Sequence, residues 1–323
     1  MNSAGTDGIG EIVFDEKGEA MTLYDAYIKD IKNGLLTREL KSWGDFADFV
    51  AEPTKSWPTL IYRGQANAKW KIESTLDRLE REFPTKPNLS GGAPDHFDVT
   101  RVSRKLQLDR FKEMARGKLP NPPAEDAEDE WWVLAQHHGL ATPMLDWTYS
   151  PFVALFFAFE NEKCNYRRPQ ERAVFALAHH LIREKEKDEG DAPKPFSPRG
   201  HANYRLTNQG GLFLRMPEPK DGSDRETVKR EHIGLESYVR KNFSDETYEA
   251  PKSGGKGNVH PRAILVKFII PNNAQDRIEC LRYLDYMNIN RASLFPDIDG
   301  AARYVNDLWE VNFDKAIGRI NTD

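Results

Sequence analysis

The longest apolar run, Phe152 to Phe159, is hydrophobic all round at helical spacing, the pattern of a buried core helix rather than an amphipathic surface one. Pro151 sits where a first-turn residue has no N–H to lose, and Ser150 before it is a good N-cap, so the pattern predicts a helix over Pro151–Asn161. Upstream, Trp131–His138 reads as a helix stopped by Gly139. A tight polar segment with Thr142, Pro143, Asp146, Trp147, Thr148 and Ser150 joins the two. It crowds the positive end of the second helix dipole. Those side chains either cap the helix or share its N-terminus with an anion such as a phosphate.

Elsewhere the alternation is shorter. Met21–Asn33 and Trp43–Val50 carry apolar residues at helical spacing, and Thr59–Tyr62 is a short β-type run leading into Arg63-Gly64-Gln65. Helices are predicted from Leu76, over Asp98–Met114, over Gln275–Met287 and over Ala301–Phe313. Strands are predicted at Ala173–Leu177, at Leu212–Leu214 after the turn Asn208-Gln209-Gly210-Gly211, and at Ala263–Ile270. Pro84–His96 and Pro120–Glu130 read as loops, as do Ile182–Arg199, Pro217–Val228 and Phe243–Val259. Short interleaved helices and strands with long irregular joins predict an α+β fold. The expected form is a single domain with a small, mainly antiparallel central sheet flanked by helices. Residues 1–20 read as a flexible arm and 21–323 as the domain, with loop insertions near 185–198 and 220–258.

Composition narrows the function classes. A formal net charge of −5 gives no global pull toward nucleic acid. No apolar run approaches a membrane span, and Met1–Phe14 lacks the basic and apolar regions of a signal peptide, so a cytoplasmic setting without membrane partners is expected. Cys164 and Cys280 make neither a disulfide framework nor zinc spacing, and no metal site is predicted.

Few residues stand out as chemistry. Arg63 follows an apolar strand and precedes a glycine that permits close backbone approach; its fork suits a phosphate, or a buried carboxylate such as Asp146. His137-His138 and His179-His180 are sequence neighbours that diverge on a helix, and His138 reads as a hydrogen-bonding neighbour of the polar segment. Gln209 reads either as ordinary turn chemistry or as a contact for a sugar hydroxyl or amide. No G-x-S-x-G occurs, no carboxylate pair stands out, and no exposed aromatic is evident among basic residues.

Several of these stretches together resemble the FRG domain: Tyr62-Arg63-Gly64-Gln65, Trp70–Arg78, Gln136–Leu140 through Leu145–Pro151 and Ala154–Ala158, then Arg205–Phe213 and Ser293–Asp297. The resemblance spans about Leu60 to Trp309. It implies a component of bacterial or phage-linked toxin and defence systems, with an antitoxin among its expected partners. A second resemblance is to ADP-ribosyltransferases, where a strand ending in Tyr-Arg-Gly holds NAD. Arg63 matches that element, Thr148 or Ser150 matches a later Ser/Thr element, and no Glu-x-Glu or Gln-x-Glu falls where the third element is expected. Gln209 falls in its place, with Glu231 or Glu236 as stand-ins.

What the resemblance implies is an NAD-consuming ADP-ribosyltransferase or NAD glycohydrolase acting on a macromolecular target, protein or nucleic acid. NAD is the expected substrate. Its catalytic residues would be Arg63, Asp146 and Gln209, and its ligand contacts Tyr62, Arg63, Gly64, Gln65, His138, Trp147, Thr148 and Ser150. The alternative is a non-catalytic module that binds a nucleotide, nucleic acid or protein.

Overall fold

In the computed structural model the described residues are 13–14, 20–21, 31–51, 60–82, 104–160, 170–186, 192–198, 204–217, 234–244, 247–249 and 259–311. The first half runs β1 (Val13–Phe14), β2 (Ala20–Met21), β3 (Leu35–Glu39), α1 (Trp43–Ala51), β4 (Ile61–Gln65), α2 (Thr75–Glu82), α3 (Arg104–Ala115), α4 (Glu128–His137), β5 (Met144–Thr148) and α5 (Pro151–Phe159). The second half runs β6 (Glu171–Leu177), α6 (His179–Glu186), β7 (Lys194–Phe196), α7 (Tyr204–Asn208), β8 (Gly211–Arg215), α8 (Leu235–Asn242), β9 (Thr247–Glu249), β10 (Val259–Pro261), β11 (Leu265–Pro271), α9 (Ala274–Tyr286), α10 (Arg291–Leu294) and α11 (Ile298–Val311).

The fold is α+β. Seven strands form one mixed sheet in the order β3-β11-β6-β4-β5-β8-β7. The β3–β11 pair is parallel and every other neighbour pair is antiparallel. Side-chain alternation sorts the core onto two faces. On one face Ile61, Leu145, Trp147, Phe175 and Leu177 pack with Leu181 and Ile182 of α6 and Leu235 and Val239 of α8. On the other, α5 buries Val153, Ala154, Leu155, Phe156, Ala158 and Phe159 against Val174, Ala176, Val266 and Phe268, with Phe46 of α1 and Leu281 of α9 beside them. Over β5 and β8 that same role passes to α3 and α4, whose Leu108, Trp131 and Trp132 meet Met144 and Phe213.

The structure revises several local expectations. The polar segment before α5 is strand β5, because Met144, Leu145, Trp147 and Thr148 are buried while Asp146 alone in it is exposed. Arg63, Gly64 and Gln65 lie inside β4, not after it, since all three pair with β6. The stretch read as a loop over Ile182–Arg199 holds the end of α6 and the edge strand β7. Within 220–258 the chain forms α8, with Leu235 and Val239 fully buried. Residues 22–30 of the first predicted helix, the Pro84–His96 loop and the Ser253–Gly257 glycine cluster lie outside the described residues, as does most of the 1–20 arm, within which β1 pairs with β2.

Candidate active site between strands β4 and β5

β4 pairs with β6 along its whole length, and β5 likewise with β8. Between β4 and β5 there is one register pair, Tyr62 with Thr148. Beyond it the strands part, leaving sheet edges whose backbone groups need other partners. Arg63 supplies one: its Nη1 donates to the Asp146 carbonyl at 2.6 Å, across 83 positions of sequence. Gly64 lets α5 close down behind the strand, for a Cβ there would stand 1.9 Å from the Ala154 carbonyl oxygen.

The parting opens a cavity of about 950 Å³. One wall is basic: Arg63 in β4, Lys69 and Lys71 in the following loop, Arg78 and Arg81 on α2. Two acids outside that wall also line the cavity, Asp146 of β5 and Glu160 at the end of α5, while a third, Glu73, is paired with Arg81; the rings of Tyr62, Trp70, Phe157 and Phe295 add an apolar surface. Arg63 Nε, Gln65 Oε1 and Trp147 Nε1 belong to residues lining this cavity, are buried, and have no partner among the described residues. Each such orphan costs about 1–3 kcal/mol, and clusters of them are a mark of sites completed by a ligand.

Electrostatics set the two acids apart. Burial lowers the Arg63 pKa while Asp146 pulls it back up, so the guanidinium remains the fixed cation of the cleft. Surrounding protein raises the Asp146 pKa; Arg63, 4.0 Å from its Oδ2, draws it down. The Asp146 side chain is 68% exposed to the cavity, and water there offsets much of the desolvation. Gln136 Nε2 donates to Asp146 Oδ1 at 2.7 Å, and Thr142 Oγ1 donates in turn to Gln136 Oε1, which aims the carboxylate. Burial also raises the Glu160 pKa, against the pull of Arg291, whose Nη1 is ion-paired with Glu160 Oε2 at 2.7 Å.

Of the residues singled out from sequence, Tyr62, Arg63, Gly64, Gln65, Asp146, Trp147, Thr148 and Gln209 meet in this one cavity. His138 and Ser150 do not line it. His138 is the exposed C-cap of α4, stacked edge-on against His137 at 5.2 Å. Ser150 serves as a cap, accepting from Val153 N at 3.3 Å. The Thr148 hydroxyl donates to the Gln209 carbonyl at 2.6 Å and accepts from Ser150 N at 3.0 Å. The expected anion site at the N-terminus of α5 is therefore not what the cleft uses: α5 contributes Phe157 and Glu160, from its C-terminal half. Gln209 spends its amide on the Leu294 carbonyl at 3.1 Å.

Sequence reasoning missed Glu160, Phe157, Phe295 and the basic wall. Lys69-Trp70-Lys71 is in fact an exposed aromatic between two basic residues, the signal read as absent. A smaller chamber of about 170 Å³ adjoins the cleft, sharing Asp146, Gln209 and Phe295 with it. Among the described residues no three His, Cys, Asp or Glu side chains gather as a metal site, and no helix is long and apolar enough to cross a membrane.

Both lips of the cleft fall in a stretch with a known likeness. Residues 58–167 match the FRG domain. That stretch carries β4, α2, α3, α4, β5 and α5, so the FRG match includes Arg63, Gly64, Asp146 and Glu160 together. Arg205–Phe213 and Ser293–Asp297 lie beyond the matched FRG residues but dock on each other: Arg205 pairs with Asp297, and Asn208 Nδ2 donates to the Ser293 carbonyl at 2.8 Å. No curated protein matches the chain, and no solved structure does.

Proposed function

We propose that the cleft binds a nucleotide, NAD first among candidates, and that the protein breaks its nicotinamide–ribose bond. ADP-ribose would pass to a macromolecular target or to water. The observation that carries this reading is the meeting of an arginine fork, a basic wall and two carboxylates in one cavity of about 950 Å³. Pyrophosphate calls for bidentate cationic donors, which Arg63 and its basic neighbours offer. Nicotinamide leaves as a neutral molecule with the electron pair of the C–N bond, and the ribose carbon turns cationic. A carboxylate at that carbon lowers the barrier by preorganised charge. Asp146 and Glu160 are the cavity acids not tied up with the basic wall, Glu73 being paired with Arg81. Glu231 lies outside the described residues and Glu236 does not line the cavity, so Glu160 takes their part. On this reading the protein is a cytoplasmic toxin or defence effector, and an antitoxin would restrain it by covering the cleft.

A second reading keeps the ligand and drops the chemistry. Asp146 is held by Gln136 and Arg63, and Glu160 by Arg291, as in a rigid binding module. Incubation with NAD, read by mass spectrometry for free nicotinamide, separates the two. The enzymatic reading expects release that Arg63→Ala and Arg63→Lys abolish while both variants stay folded by thermal unfolding. Thermal stabilisation by NAD without nicotinamide, with purified protein and with cell extract as the source of targets, would leave the binding module.

A further inference from the structure

The turn that follows β4 is held far more firmly than an exposed turn needs to be. Arg172 Nη1 of β6 donates to the Ala66 carbonyl at 2.8 Å, and Lys267 Nζ of β11 to the Ala68 carbonyl at 2.5 Å. These two cations reach it from opposite faces of the sheet: Arg172 lies by the Phe159 ring of the α5 face, Lys267 by the Phe175 ring of the other. Ala68 N donates to the Glu171 carbonyl at 3.0 Å, Trp70 N to the Asn67 carbonyl at 3.1 Å, and Gln65 Nε2 to the Lys71 carbonyl at 3.3 Å. Arg172 is only 2% exposed, so a buried cation is spent on shaping backbone.

What this rigid turn displays is Trp70, 50% exposed, between the exposed Lys69 and Lys71. The indole thus keeps an apolar face open to water. Trp70 makes no ring contact among the described residues, and the lysines form no ion pair there. Arg78 and Arg81 of α2 extend the basic surface along the same cavity wall. Arg81 is partly offset by Glu73 at 2.5 Å.

We propose that Lys69-Trp70-Lys71 is a stacking platform for single-stranded nucleic acid. An unpaired base lies on the Trp70 indole, and the flanking phosphates follow Lys69, Lys71 and Arg78 toward the cleft. An aromatic face accepts any base, and a preorganised platform loses little entropy on binding. A duplex cannot use it, because its base faces are already stacked. The net charge of −5 gives no global attraction, so the binding would draw on local basic surface such as this wall. The proposal deepens the preceding reading by naming single-stranded nucleic acid as the macromolecular target, and only that role as target rests on it; the binding itself does not.

The test is fluorescence anisotropy with a labelled oligothymidylate of about ten nucleotides, a length within the usual single-strand site sizes, in low salt and without NAD. Wild-type protein is expected to bind the single strand and to bind a duplex of equal length much more weakly. Trp70→Ala is expected to weaken binding about tenfold or more, the loss of one stacked base. Lys69→Ala with Lys71→Ala is expected to flatten the logarithmic salt dependence by about 1.4, at roughly 0.7 per phosphate released. Unchanged thermal unfolding in both variants assigns the losses to the surface. No binding by the wild type, equal binding of duplex, or an unaffected Trp70→Ala overturns the proposal. So does a Trp70→Ala variant whose sole defect is a raised KM for NAD, which would make the indole part of the nucleotide site. Absence of nicotinamide release with oligonucleotide binding intact would instead overturn the NAD reading alone.

Discussion

Gly64 and Ala154 are in backbone contact: a Cβ on Gly64 would lie 1.9 Å from the Ala154 carbonyl oxygen and 2.6 Å from the Ala158 nitrogen. Both obstacles are main chain of α5, so no side chain can turn aside to make room. The contact seats α5 directly on β4, one of the two strands between which the cleft opens.

Gly64→Ala is therefore expected to lower unfolding stability by about 3 kcal/mol or more, at or beyond the upper end of overpacking costs, or to prevent soluble expression. Gly139→Ala is the contrast. Its φ is +89° and nothing lies within 4 Å of the added Cβ, so only backbone strain of about 1 kcal/mol is expected. Urea midpoints of the two variants check the difference.

Gln136→Glu keeps the length of the side chain and an acceptor for Thr142, but sets a second negative charge beside the Asp146 carboxylate it now supports. Like charge raises the Asp146 pKa further. The acid limb of the pH profile for nicotinamide release is expected to move to higher pH, with activity lost first at the acid end of the profile. An unshifted profile would remove Asp146 from the chemistry.

Glu160 is held above its ordinary pKa by burial, with Asp307 adding to the rise and Arg291 opposing it. The folded state then binds its proton more tightly than the unfolded state does. Stability falls as pH climbs from the ordinary glutamate value through the raised one, and stays lower above it. Glu160→Gln lacks this penalty and leaves Arg291 its bond to Asp307 at 2.5 Å. Relative to wild type, the variant is expected to gain stability between pH 4 and pH 7, measured by denaturant midpoints. A loss over the same range would mean that the Arg291 pair outweighs burial.

Arg104, 5% exposed, ties α3 to α2 through Asp77 at 2.5 Å and Glu80 at 3.1 Å. It thereby braces the helix that carries Arg78 and Arg81. Arg104→Ala takes the guanidinium away from two poorly exposed carboxylates, which is expected to cost about 3–5 kcal/mol. Calorimetry reads that loss. Weakened oligonucleotide binding in the folded fraction would follow from misplacement of α2.

The elements with strong local signals were legible from the chain: α5 from its apolar run and its Ser150-Pro151 start, α1 from Trp43–Val50, β6 and β11 from their β-branched and aromatic runs. β5 was not, because Thr142, Pro143, Asp146 and Thr148 read as loop chemistry, and burial of Met144, Leu145 and Trp147 is granted only by neighbours far off in sequence. Glu160 was passed over for a similar reason. A glutamate closing an apolar helix looks like a boundary residue until the helix is seen to end at a cavity.

By itself the chain determined the α+β class, the core character of α5, the need for a glycine after Arg63, and eight of the residues that meet in the cleft. These follow from period, capping and side-chain chemistry, which are properties of near neighbours. Only the tertiary structure decided that β4 and β5 touch at Tyr62 and Thr148 and then part, that the C-terminal end of α5 rather than its N-terminus lines the opening, and that Arg172 and Lys267 bind the backbone of the turn before Trp70. Strand pairing and helix docking are settled by the burial of whole faces against each other, and no window of sequence contains both partners.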